Sequence, residues 1–227
     1  MKKGLEWFLP GYTRIPLAAV ICVNCVAYFL TRLFTRYFVH FDFTLPIDKA
    51  LPFIPAFSVI YVLAYVQWVV GFVLVARESR ELCYSMMSGE IAAKFICMML
   101  FIFVPTTMVR ADITGNDFFS NAVRLIYRID TPDNLFPSLH CLESWFCFRG
   151  AMQMKKTGKL YLYFSLIFTL LVFASTVLVK QHEVVDIIAG VVVLELGLLI
   201  SKKFNLARVF VKAEALLCRR ANTESDR

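Results

Sequence analysis

Long apolar runs separated by short charged stretches dominate the chain. A spanning helix needs about 20 mostly apolar residues, and six segments come near that length. They cover 15–33, 51–76, 91–109, 138–148, 160–179 and 184–200. The second and fifth carry no charge, the third has Lys94 near its start, and the fourth is short and mixed. The sixth holds Asp186 and Glu195. The pattern predicts an all-α integral membrane protein, a six-transmembrane-helix bundle forming one domain over 1–227 with a charged tail at 201–227. The first segment has no small-residue cleavage site and runs on into further spans, so it reads as an uncleaved helix. Within the tail, 204–217 predicts a short helix on the membrane surface.

Charge sets the expected orientation. Six spans leave both termini on one side, which then holds sixteen Lys and Arg against seven on the other. Such an excess marks cytoplasmic loops, so both termini are expected in the cytoplasm. Segments 31–50, 110–137 and 180–183 then face outward.

Composition agrees. The chain is 59% hydrophobic and 18% charged, against about 45–50% and about 25% in soluble domains. Its mean hydropathy is +0.67. A disordered chain, a collagen-like fibre and an ordinary cytosolic enzyme are excluded. The net charge of +7 comes from basic residues scattered between apolar runs, which points to topology and away from nucleic acid. The seven cysteines are odd in number and most sit in apolar stretches. Cys22 and Cys25 form a C-x-x-C within an apolar run, with no second pair, and read as buried small residues rather than as metal or redox ligands. No metal and no cofactor are implied.

Three histidines occur: His40, His140 and His182. His182 and Asp186 are four apart, hence on one face if helical. A carboxylate beside an imidazole fixes its tautomer and raises its basicity. Pro137-Ser138-Leu139-His140 suits a helix start, where free N–H groups attract phosphate. Arg110 ends the third span on the outer side, and Arg124 and Arg128 lie four apart beyond it. Each feature has a plain alternative: a structural His–Asp pair, an ordinary loop-to-helix start, a snorkelling arginine, a solvated amphipathic turn. Taken together they supply what a phosphoester reaction needs, namely cations for phosphate oxygens, a nucleophile, and an acid for the leaving oxygen. Glu195, deep in the last span, reads as a buried hydrogen-bonded carboxyl, with a proton-path role as the alternative.

The chain resembles the type-2 phosphatidic acid phosphatase superfamily, whose motifs are K-x6-R-P, P-S-G-H and S-R-x5-H-x3-D. Pro137-Ser138-Leu139-His140 matches the second, with Leu for Gly. Ser175, His182 and Asp186 match the third, with Thr176 where Arg is expected. Arg110 fits the first, but Ala111 replaces its Pro and Phe103 its Lys. The resemblance covers roughly 91–200. It implies His182 as the nucleophile that becomes a phosphohistidine, Asp186 as its activator, and His140 as the acid for the leaving alkoxide and then the base for water. Ser138 and Arg110 would hold phosphate oxygens. Lys180, Arg124 and Arg128 are expected to replace the cations missing at Phe103 and Thr176.

The implied activity is metal-independent hydrolysis of a lipid phosphate or pyrophosphate at the outer face of a bacterial cytoplasmic membrane. Phosphatidic acid, phosphatidylglycerol phosphate and polyprenyl pyrophosphate are the candidate substrates, with membrane lipids as the surroundings. The Leu139 form of the second motif is similar to the branch with inositol phosphorylceramide synthases. Transfer of a phosphoryl headgroup to a lipid alcohol, as in that branch or in sphingomyelin synthases, is therefore the first alternative. A non-catalytic transporter or scaffold on the same fold is the second.

Overall fold

The structure, a computed structural model, describes residues 9–225. Lys2, Lys3 and Arg227, which enter the orientation count, lie outside the described residues, as do the side chains of Cys218, Arg219 and Arg220. In chain order the elements are α1 (Gly11–Thr35), β1 (Phe41–Asp42), α2 (Pro46–Ala50), α3 (Pro55–Glu78), α4 (Arg80–Phe103), β2 (Thr106–Thr107), α5 (Phe118–Ile129), α6 (Leu139–Ala151), α7 (Lys159–Leu178), α8 (Val184–Phe204) and α9 (Arg208–Ser225). Five of them, α1, α3, α4, α7 and α8, are long and apolar enough to cross a membrane.

Two expected boundaries move, each for a local reason. The third span is not 91–109 but α4, which starts at Arg80 and stops at Phe103. Ser79 caps it, its hydroxyl accepting from Leu82 N at 3.1 Å. Pro105 follows its end and cannot continue the helix. The expected fourth span is α6, with only 13 residues. At about 1.5 Å per residue it reaches about 20 Å, short of the hydrocarbon thickness of about 30 Å. The tail helix also shifts from 204–217, because Asn205 adopts φ 52° and closes α8 before α9 begins.

The polarity of the bundle is inverted relative to a soluble domain. The most apolar windows of the five long helices are at most half buried, and residues such as Val66, Val69, Phe164, Ile167 and Leu199 face outward. Polar groups point inward and pair across helices. Gln67 of α3 donates to Thr169 of α7 at 3.1 Å, and Thr169 donates to the Ser144 carbonyl of α6 at 2.9 Å. Lys94 of α4 is fully buried, 2.6 Å from Glu143 of α6 and 3.4 Å from Glu90. That pairing is what admits charge to a span. Glu195, expected to be buried, has its side chain 35% exposed and meets Arg149 at 2.6 Å and the Trp145 indole at 2.8 Å. Cys83, Cys97, Cys141 and Cys147 are buried, but Cys22 and Cys25 are exposed on α1, contrary to the buried role expected of them. Membrane apolarity explains this: a small thiol is as well placed against lipid as inside the bundle.

Small residues let α4 and α8 cross closely. A Cβ on Gly197 of α8 would lie 2.5 Å from the Gly89 carbonyl oxygen of α4, so the two backbones touch. Ser88 and Ser201 share a hydrogen bond of 2.7 Å at the same contact.

The three segments expected to face outward gather at one end of the bundle. Phe41 and Asp42 pair in parallel with Thr106 and Thr107, Lys180 reaches the carbonyls of Asp48 and Leu51, and Arg110 bonds Gln181. At the opposite end Glu78 accepts from the backbone N–H groups of Lys155 and Lys156, and Arg80 pairs with Glu214 of α9 at 2.6 Å.

Candidate active site

His182 is projected by the turn that ends α7. Lys180 takes φ 53°, the left-handed conformation that closes a helix. The chain then folds back so that Gln181 N and His182 N both donate to the Thr176 carbonyl, at 2.9 and 3.1 Å. Thr176 therefore serves the turn through its backbone. Glu183 and Asp186 cap α8 reciprocally. Asp186 Oδ2 accepts from Glu183 N at 2.9 Å and lies 3.2 Å from His182 Nδ1. With Asp186 accepting from Nδ1–H, a neutral imidazole presents its Nε2 lone pair on the far side of the ring.

His140 arrives from α6. Ser138 caps that helix, its hydroxyl accepting from Cys141 N at 3.3 Å, while its own N–H donates to the Asp186 carbonyl at 3.1 Å. This approach needs Gly190, because a Cβ there would stand 2.7 Å from the Ser138 carbonyl oxygen. The His140 ring is buried, stacked on Tyr61 at 4.0 Å and flanked by Trp68 at 4.9 Å and Tyr65 at 5.4 Å. Its centroid is 6.1 Å from that of His182. Its Nε2 is buried with no hydrogen-bond partner among the described residues.

His182 lines two cavities. The first, of about 280 Å³, is aromatic and also holds His140, Tyr28, Phe29, Tyr65 and Trp68. The second, of about 630 Å³, is polar and holds Arg110, Lys180, Glu183, Asp42, Thr44 and Asp48. Arg110 donates to the carbonyls of Tyr127 (3.0 Å) and Asp130 and to Gln181, and lies over the Tyr127 ring at 4.4 Å. Its Nε has no partner among the described residues. Burial draws the guanidinium below its ordinary value, with the charge of Asp130 opposing. Lys180 donates to the carbonyls of Asp48 and Leu51 at 2.7 and 2.8 Å.

The structure thus brings His140, His182, Asp186, Arg110 and Lys180 together, whereas Ser138, expected to hold phosphate oxygens, is fully buried, lines neither cavity and uses its hydroxyl to cap α6. Arg124 and Arg128 line neither cavity. Arg124 instead gathers the preceding loop, bonding the carbonyls of Ile113 (3.0 Å) and Gly115, and Arg128 is exposed on α5. His40 stays outside as well, its Nδ1 2.9 Å from the Phe38 carbonyl. Phe103 is exposed at the end of α4. Among the described residues no group of three His, Cys, Asp or Glu is set to hold a metal ion.

Sequence reasoning did not single out Glu183. Its carboxyl accepts from Thr44 and faces the polar cavity. Burial pushes it up to about 7. The Thr44 hydrogen bond opposes the shift, and the carboxylates of Asp186, Asp42 and Asp48 add to it. The signal available was a third ionisable group directly between His182 and the last span.

Fold and site together define a helical membrane protein with an imidazole–carboxylate pair beside a half-buried arginine and a second histidine. The family model described as the PAP2 superfamily matches residues 35–200, and the chain belongs to that superfamily. Its members in general hydrolyse phosphate esters. Searches of curated proteins and of solved structures found no match to the chain.

Proposed function

We propose that the protein hydrolyses a lipid phosphate or pyrophosphate through a phosphohistidine on His182. His182 Nε2 attacks phosphorus, the bond from phosphorus to the lipid oxygen breaks, and His140 supplies the proton that the leaving oxygen takes. His140 then removes a proton from water, whose oxygen displaces the histidine and releases phosphate. Asp186 holds Nδ1 and stabilises the imidazolium. Arg110 and Lys180 face the non-bridging oxygens, and Ser138 fixes the start of α6 beside them. The observation that carries this reading is the position of His182 as the wall shared by the cavity of Arg110 and Lys180, whose lining also includes Asp42, Asp48 and Glu183, and the cavity of His140.

The six-pass layout belongs to the same proposal. α6 crosses with the help of the segments flanking it, both termini are cytoplasmic, and the site opens outward at the headgroup layer. A second reading, transfer to a lipid alcohol, draws support from the aromatic lining on the His140 side, which suits an alcohol with an apolar chain as well as water.

Phosphate release by purified protein, measured over a panel of lipid phosphates, tests the proposal. His182→Ala lowers release by roughly 10³-fold or more. Release unchanged in that variant removes His182 as nucleophile. No release, together with a His182-dependent new phospholipid on adding a lipid alcohol, selects transfer.

A further inference from the structure

A groove of about 240 Å³ runs between α3 and α7. Its walls are apolar, Leu63, Val66, Phe164 and Phe168 among them, and no residue lining it carries a charge. Leu63, Val66 and Phe164 are exposed, so the groove opens on the lipid-facing surface. Two polar atoms are sunk into it. Gln67 and Ser165 line the groove and are only 7% and 1% exposed. Gln67 Oε1 and Ser165 Oγ are buried with no hydrogen-bond partner among the described residues. The third polar side chain of the lining, Tyr161, is only partly buried.

The orientation of the Gln67 amide is set from its other side. Thr169 gives its one hydroxyl proton to the Ser144 carbonyl at 2.9 Å, so it accepts from Gln67 Nε2 at 3.1 Å. Oε1 is thereby left as an acceptor. Ser165 departs from the other buried hydroxyls of the bundle: Ser88, Ser175 and Thr176 each bond a carbonyl of their own helix, and Ser165 does not. A polar group left unmet in hydrocarbon is costly. A hydroxyl answers both atoms, donating to Gln67 Oε1 and accepting from Ser165. A phosphate or an ammonium would meet no countercharge here. One water fills about 30 Å³ and leaves the apolar walls uncovered. We infer that the α3–α7 groove binds a neutral lipid alcohol, its hydroxyl between Gln67 and Ser165 and its chain along the apolar walls.

This groove is separate from the candidate active site. Ser165 lies about 20 Å along α7 from Leu178, where the turn carrying His182 begins. The groove shares no lining residue with either cavity of the site. A lipid alcohol is also what the proposed hydrolysis releases, but binding in the groove does not depend on that reaction.

Photolabelling of the full-length protein in phosphatidylcholine vesicles tests the inference. The probes are hexadecanol with a diazirine on its chain and the methyl ether of the same compound, which cannot donate. Labelled positions are read by mass spectrometry. The alcohol labels α3 and α7 around Gln67 and Ser165 about fivefold or more strongly than the ether, and unlabelled hexadecanol competes. The preference falls toward one in Gln67→Leu and in Ser165→Ala. Ser165→Ala removes no hydrogen bond within the described residues, so it decides alone if the Gln67 variant does not fold. In His182→Ala the preference persists, whatever becomes of phosphate release. Equal labelling by the two probes, or a preference unmoved by Ser165→Ala, overturns the inference. So does a preference lost in His182→Ala, which assigns the alcohol to the active site. Cross-links from the groove to a second copy of the chain in place of lipid labelling overturn it in favour of a dimer.

Discussion

A carboxyl that titrates near neutrality stands next to the proposed nucleophile. Glu183, at about 7, shares the polar cavity with Arg110, Lys180, Lys49, Asp42 and Asp48. Below that pH it is neutral; above it, another negative charge faces the incoming phosphate. KM for a lipid phosphate is therefore expected to rise as pH increases from about 6 to about 8. Glu183→Gln removes that rise, and steady-state kinetics across the range check it. An identical pH profile in wild type and variant would exclude Glu183 as the cause. At this scale the His182–Asp186 contact and the place of His140 at a helix start were legible, because both rest on short spacings in the sequence. The partners of Lys94 were not. Placing the span start at residue 91 left Glu90 outside it, and Glu143 lies on a different helix, so only packing reveals the pair. Arg124 and Arg128 read as cations for phosphate, but which way α5 presents a side chain depends on the loop it packs against.

Helix α6 is the element on which the site turns. Hydropathy marks it only as a short, mixed segment, and most of its residues are buried. The same burial explains its mixed sequence: its neighbours cover it, so its polar groups face partners rather than lipid. Its register depends on Gly190. Gly190→Ala places a methyl 2.7 Å from the Ser138 carbonyl oxygen and forces α6 and α8 apart, at a cost of about 1–3 kcal/mol. Because Ser138 and His140 move with α6, phosphate release is expected to fall by about 10²-fold. Gly158→Ala, with nothing within 4 Å of its added Cβ, is the control and keeps wild-type turnover. Melting temperature and phosphate release, measured on both variants, check this pair. The ends of α4 were harder to place than its existence, since a serine cap and a proline set them rather than the apolar pattern.

Over the whole molecule, the inverted polarity and the convergence of 31–50, 110–137 and 180–183 at one end were both legible as pattern. Alternating passes dictate the second once the helices exist. The proposed topology puts Asn116 and Gly158 on opposite sides of the membrane. Single cysteines at these positions, in a cysteine-free background, are expected to differ toward an impermeant maleimide applied to intact cells: Asn116→Cys labels and Gly158→Cys does not. Labelling of both, or the reverse, would refute the orientation. The division of the site into two chambers that meet at one imidazole has a consequence for how such a protein can diverge. Selection for a new lipid acts on α1, α3 and α6 side chains around the aromatic chamber, while the phosphate-handling groups answer to Arg110 and the α7–α8 turn. The chambers share His182, and Arg110 of one bonds the Asp130 carbonyl of the other, so substitutions touching these residues couple. Those away from them combine nearly additively, and it is there that a lineage can change its lipid without rebuilding its chemistry.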